Sequence, residues 1–220
     1  MGKAELLYIA LAIVTFTIFS STALRNKIQA RMAIVYNEIE LSAYSQSEAI
    51  LNQAWTKNFD QFTYDNGNDN VTIDSLVNHA TESSDLGFDT GEDTDSLYKI
   101  SYFNDLDDFD SQNPNSFKVF PEKSVTINVK GVDEVFYKYK LKTKVDYVDI
   151  DGDYTTSKTK AKKLTVLIEI TSVGDEIPAQ QEFNEDGRST PINETWHIQN
   201  SKIFYYYPDY HGLDHNDPIS

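Results

Sequence analysis

From Leu6 to Leu24 the chain carries no charged residue, and its centre reads LLYIALAIVTFTIF. A helix of roughly 20 such residues spans a bilayer core of about 30 Å. Thr15, Thr17, Ser20, Ser21 and Thr22 do not forbid this, because their hydroxyls can bond carbonyls one turn back. Residues 1–56 contain no Pro, and Gly2 is their only Gly, so nothing breaks a helix after the apolar run. Beyond Leu24 the pattern turns amphipathic. Apolar residues recur at Ile28, Met32, Val35, Ile39, Ala43, Ile50 and Ala54, at helical spacings. The expectation is one helix from about Ala4 to Trp55, roughly 75–80 Å long at about 1.5 Å per residue. A cleaved signal peptide fits less well. The start MGKAE is weakly basic, Ser21 and Ala23 make a poor cleavage site, and no break follows.

Charge divides the chain in the same place. Residues 1–57 hold Lys3, Arg25, Lys27, Arg31 and Lys57 against Glu5, Glu38, Glu40 and Glu48, so essentially all of the formal net charge of -16 lies in residues 58–220. The expected organisation is a hydrophobic and amphipathic helix over 1–56 and an acidic globular domain over 57–220. The acidity argues against a nucleic-acid partner, which needs clustered Lys and Arg. The absence of Cys removes disulfides, thiolate nucleophiles and Cys-ligated metals.

The body reads as antiparallel sheet. Asn-, Asp- and Gly-rich stretches (64–70 and 89–95) mark loops, and a short helix is expected near Ile73–Ala80, with Thr72 or Asp74 as its cap. Strands are expected at Leu97–Phe103, Ser124–Val129, Val135–Val148, Tyr154–Ser172 and Trp196–Tyr207, with Asp151-Gly152 as a two-residue hairpin turn. A polar loop separates the last two strands over Gly174–Asn193. In the third strand Lys138, Lys140, Lys142 and Lys144 share one parity. Tyr137, Tyr139, Leu141, Thr143, Val145 and Tyr147 share the other, which is the face to bury. Helix first and strands after make an α+β fold, a long helix packed on an antiparallel sheet.

Chemistry-bearing motifs are sparse. Asp149, Asp151 and Asp153, with Asp146 nearby, form a weak Ca²⁺ candidate, but without EF-hand spacing; a solvated turn is the plainer account. The segment NDLDDFD (104–110) is a weaker one. The histidines (His79, His197, His211, His215) lack metal-ligand spacing. No nucleophile elbow, dinucleotide fingerprint or P-loop occurs, so neither an enzyme nor a cofactor is expected. Asn70 and Asn193 head N-x-S/T sequons, which matter only in a glycosylating host.

Glu5 stands at the edge of the apolar run. If buried it needs a cationic partner, either Lys3 or the N-terminal amine of a neighbouring chain; in the headgroup region it needs none. A fully apolar first half-helix, Glu5, an unbroken amphipathic second half and then a sheet domain resemble the mature form of a type IV pilin or pseudopilin. Gly2 and Lys3 stand where that family usually has apolar residues. The resemblance implies a precursor held in the inner membrane and passed to the pilus assembly machinery. It implies a helical homo-oligomer, an extracellular filament cored by the N-terminal helices. It also assigns Glu5 to pair with the amine of Met1 from an adjacent subunit, Met1 being a mature terminus if a leader was removed. Leu6, Leu7, Ile9, Leu11, Ile13, Val14, Phe16 and Phe19 would then form the subunit contact. Two other readings stand beside it: a single-pass anchored surface or periplasmic binding module, adhesive through Tyr205, Tyr206, Tyr207 and Tyr210, and a minor pilin or secretion pseudopilin.

Overall fold

A computed structural model describes residues 2–65, 71–87, 97–111, 113, 116–173, 181–183, 189–191 and 196–206. Helix α1 runs without interruption over Lys3–Ala54. Its hydroxyls behave as the sequence implies. Thr15, Thr17 and Thr22 donate to the carbonyls of Leu11, Ile13 and Ile18 at 2.8, 2.8 and 2.9 Å, one turn back. The chain forms two compact units, Met1–Ser42 and Ala43–Ser220, and α1 crosses the boundary.

In the second unit the last turns of α1 lie on an antiparallel sheet, which is the expected α+β class. Ala43, Ser47, Leu51 and Ala54 are buried there, and Gln46 donates to the Tyr137 hydroxyl at 2.8 Å. Asn200 donates to Glu48 at 2.7 Å. Trp55 packs its ring on Phe204, centroids 5.7 Å apart. The buried stripe thus follows Ser47 and Leu51, and Ile50 is only half-buried. Ile28 and Met32, expected on a packed stripe, are 52% and 39% exposed.

Two short helices follow, α2 (Gln61–Asp65) and α3 (Ile73–His79). Thr72 caps α3 by accepting the Ser75 N–H, so the expected helix and the first of its two candidate caps are both present. Asp60 caps α2, accepting the Phe62 N–H at 3.1 Å, while Thr63 Oγ1 accepts the Asp60 N–H at 3.2 Å.

The sheet contains β1 (Lys118–Val119), β2 (Lys123–Val129), β3 (Val132–Tyr147), β4 (Ala161–Val173) and β7 (Trp196–Tyr205). β1 and β2 both pair with β3, then β4 with β3 and β7 with β4, all antiparallel. A separate two-stranded hairpin, β5 (Gln181–Phe183) and β6 (Ser189–Pro191), falls in the stretch expected to be loop. The parity expected for β3 is present. Tyr137, Leu141, Thr143, Val145 and Tyr147 are buried, Tyr139 is half-buried, and the four lysines lie on the other face. The register carries that face across as Leu141–Ile168–Ile198 and Val145–Leu164–Lys202.

Two local expectations are corrected. Leu97–Phe103 is no strand: Ile100–Tyr102 is a 3₁₀ turn, with the Tyr102 N–H on the Lys99 carbonyl at 2.8 Å. Tyr98 and Tyr102 stay exposed, and Phe103 alone is buried, edge-on to Phe109 at 4.8 Å. Asp151-Gly152 is not a two-residue hairpin. The chain turns over Asp149–Asp153 with Gly152 at φ +87°, bridges Val148 to Tyr154, and enters β4 only at Ala161, where the Val148 N–H reaches the Ala161 carbonyl. The two-residue hairpin lies instead at Lys130-Gly131, both at positive φ (53° and 89°), as a primed turn requires. Asn128 Oδ1 accepts the Gly131 N–H at 2.9 Å and supports it.

Candidate functional site

Two features of the chain depart from an ordinary soluble domain. The first is the surface of α1. Leu7, Phe16 and Phe19 are 70%, 71% and 72% exposed, and Ile9, Leu11, Ile13 and Val14 are exposed beside them. Tyr8, Ile18 and Leu24, absent from the expected contact set, are exposed too. Tyr8, Leu11, Ala12, Thr15, Phe16 and Phe19 line a shallow apolar groove along the helix. The helix is long and apolar enough to cross a membrane, and no part of its most apolar window is buried within the protein. With the hydroxyls of Thr15, Thr17 and Thr22 bonded to its own carbonyls, this surface is mainly apolar. Met1, and the side chains of Glu5 and Leu6, lie outside the described residues.

The second feature is a set of buried ionisable side chains under the sheet. Asp60, Asp105, Asp107, Asp108, Asp110, Lys118 and Lys162 are all buried. Lys162 lies on β4 at the same parity as Leu164, Val166, Ile168 and Ile170, so its side chain enters the core. Its Nζ contacts Asp60 Oδ2 at 2.8 Å and Asp107 Oδ1 at 3.1 Å, and donates to the Phe59 carbonyl at 2.8 Å. Burial alone would lower the ammonium pKa, but Asp107, Tyr147, Asp60 and Asp105 raise it well above the usual value. Burial likewise pushes the Asp60 carboxyl up, and the charge and hydrogen bond of Lys162, with the N–H groups of Phe62 and Thr81, outweigh it and hold Asp60 below the usual range.

The segment 104–110 shapes the far side of this cluster. Asp105 Oδ1 accepts the Asp107 N–H at 3.0 Å, and Asp108 Oδ2 accepts the Asn104 N–H at 2.7 Å. Asp110 accepts the N–H groups of Ser111 and Val145 at 2.6 and 2.7 Å, which ties the segment to β3. Lys118 donates to the Asp108 carbonyl with its Nζ 4.5 Å from the Phe103 ring centroid. Burial raises the Asp105 carboxyl to about 10, with the Asp107 charge and a hydrogen bond to Asp107 adding to it. Burial also raises Asp110 to about 6, against its two N–H donors.

Asp149, Asp151 and Asp153 are exposed, and Asp149 Oδ1 is taken by the N–H groups of Asp151 and Asp153 at 3.0 and 2.9 Å. Among the described residues no group of three or more His, Asp or Glu side chains converges to hold a metal ion. His79 stacks on Phe62 at 4.9 Å; His211, His215, Asn70 and Asn193 lie outside the described residues. Of the tyrosines offered as adhesive, Tyr206 is core, its hydroxyl on the Val71 carbonyl at 2.8 Å; Tyr205 is exposed, and Tyr207 and Tyr210 lie outside the described residues. No protein-family model, curated protein or solved structure matches the chain.

Proposed function

We propose that the chain is a pilin-like structural subunit, stored with its apolar helix in a membrane and assembled into an extracellular filament by bundling of that helix with identical copies. One observation carries the reading: the first half of α1 presents its large apolar side chains outward on every face. Such a surface is stable only in lipid or against other apolar surface. Copies related by a shift along the helix bury it without closing a ring, and so they grow. The acidic sheet domain then coats the outside and keeps it hydrated. Glu5, at the start of the run, meets the N-terminal amine of a neighbour in this arrangement, with Leu6, Leu7, Ile9, Leu11, Ile13, Val14, Phe16 and Phe19 supplying the apolar contact.

The test is to shear cells and look for the chain in filaments by electron microscopy and mass spectrometry. Filaments built from this chain support the reading. A chain found only in detergent extracts assigns the helix to a single-pass anchor instead, and a chain present at trace level in filaments built from another subunit makes it a minor pilin. Glu5→Ala is expected to leave the chain membrane-inserted and to lower filament yield; unchanged yield removes Glu5 from the contact.

A further inference from the structure

Lys162 is a primary amine held dry against two carboxyl groups. It is 0% exposed, and the Phe59 carbonyl, Asp60 Oδ2 and Asp107 Oδ1 surround its Nζ. The rings of Phe59 and Tyr147 lie 4.8 and 5.2 Å from Nζ and close the remaining sides. The second oxygen of Asp107 is buried and has no partner, and so is the second oxygen of Asp105. Asp105 sits beside Asp107, its Oδ1 accepting the Asp107 N–H at 3.0 Å. Burial and the Asp107 charge raise the Asp105 carboxyl, which makes it an acid beside Asp107.

We propose that Lys162 and Asp107 condense into an intramolecular amide cross-link, with Asp60 taking protons from Nζ and Asp105 acting as the acid on Asp107 Oδ2. Each role follows from a contact. Asp60 has both oxygens on backbone N–H groups, those of Phe62 and Thr81, which stabilise it as an anion and make it a base and a poor electrophile. Asp107 has one oxygen on the amine and the other buried without a partner, so its Cγ is the carbon open to attack.

The step balances without a co-reactant. Asp60 accepts a proton from the ammonium, and the freed Nζ lone pair forms the N–C bond to Cγ of Asp107. Asp105 protonates Oδ2, and the C–O bond breaks with its electron pair on that oxygen. Nζ gives up two protons in all, and Oδ2 leaves as water. Asp60 ends as a carboxylate and Asp105 as a carboxylic acid, as both began. The surrounding acids hold Lys162 as an ammonium, so the reaction passes through the sparsely populated form in which Asp60 carries the proton. It is slow for that reason, and it need occur only once per molecule. Fixed proximity, worth effective molarities of about 10⁵–10⁸ M in well-oriented intramolecular reactions, offsets that population. The product also replaces two buried opposite charges with a neutral amide.

This inference is independent of filament assembly; a cross-linked chain that never leaves the membrane would leave it intact. The experiment is intact-mass measurement and peptide mapping of the full chain purified in detergent. The expected chain is lighter by one water than its residues require, with a branched peptide joining Lys162 to Asp107. Asp107→Asn keeps the acyl carbon but changes the leaving group, so that variant should be lighter by one ammonia. Lys162→Arg should keep its full mass, and Asp105→Asn should cross-link at least tenfold more slowly. A folded wild-type chain at full mass overturns the proposal without any variant needing to fold, and a branch at Asp60 overturns the assignment of roles.

Discussion

The two units of the chain differ in what they expose and what they bury. The first places Leu7, Phe16 and Phe19 on its outside, and the second places Lys162 and several aspartates on its inside. In the first, the hydroxyls of Thr15, Thr17 and Thr22 have local partners and the apolar surface is exposed. In the second, apolar side chains are packed and it is charge that needs compensation. Each arrangement points to what completes it. Exposed apolar surface asks for lipid or for more of itself, whatever the sequence details. Buried charge asks for specific partners at specific distances, which is why residues as far apart as Asp60, Asp107 and Lys162 meet within about a hydrogen-bond length.

The strongest way to break this contrast is Lys162→Met. It leaves Asp60 and Asp107 buried without a cation, and should cost about 3–5 kcal/mol, read as a fall in the denaturation midpoint of the sheet domain. A loss under about 1 kcal/mol would mean the cluster is wet, and that the contrast does not hold. The matching change in the first unit is Ile13→Asp. A carboxylate at mid-helix should cost about 2.5–3.5 kcal/mol of membrane insertion, read as the fraction resistant to alkaline extraction, while the midpoint of the sheet domain stays unchanged.

How much of this was legible differs between the units. The apolar helix is written in consecutive residues, and its extent is visible from the uncharged run and the missing Pro. The β3 face was equally plain, because Lys138 to Lys144 alternate with the buried residues over a long strand. The charged cluster was hidden because its members come from three segments distant in sequence. One local signal did exist: Lys162 shares parity with Leu164, Val166 and Ile168, so a lysine sits on a core face. The aspartates of 104–110 resemble a solvated loop in composition. What sets them apart is their capping of neighbouring N–H groups, as Asp105 does for Asp107, and that is visible only in three dimensions. Leu97–Phe103 misled for a related reason: aromatic alternation suits a strand, but among the described residues no partner strand lies beside it, and the chain tightens into a 3₁₀ turn.

Acidity sharpens the comparison further, because only the second unit should respond to it. Asp110 is held protonated to about 6 in the folded chain, against 3.8 for the ordinary carboxyl. The folded state therefore binds the extra proton between those values. The Asp110 contribution is fully present below about pH 4 and is lost as pH rises through about 6, by up to about 3 kcal/mol. Asp105 has the same sign, over a window reaching about 10. Denaturation midpoints of the sheet domain should thus fall as pH rises from about 4, and Asp110→Asn should flatten the first part of that slope. A midpoint that rises over the same interval would contradict the burial of both groups.

The smallest effect makes the finest control. Lys142 and Lys162 belong to paired strands of one sheet, but Lys142 is on the outer face, where it pairs with Glu169. Its side chain is 29% exposed, so water shares in solvating both members of the pair. Lys142→Met should change the midpoint by about 0–1 kcal/mol, in contrast to the same substitution at Lys162. Added salt should move the wild type and the Lys142 variant towards each other, because screening weakens an exposed pair and barely touches a buried one. Were the two lysines to cost the same, the energetic difference between the faces of this sheet would vanish, and with it the reason to treat Lys162 as anything more than one more lysine on β4.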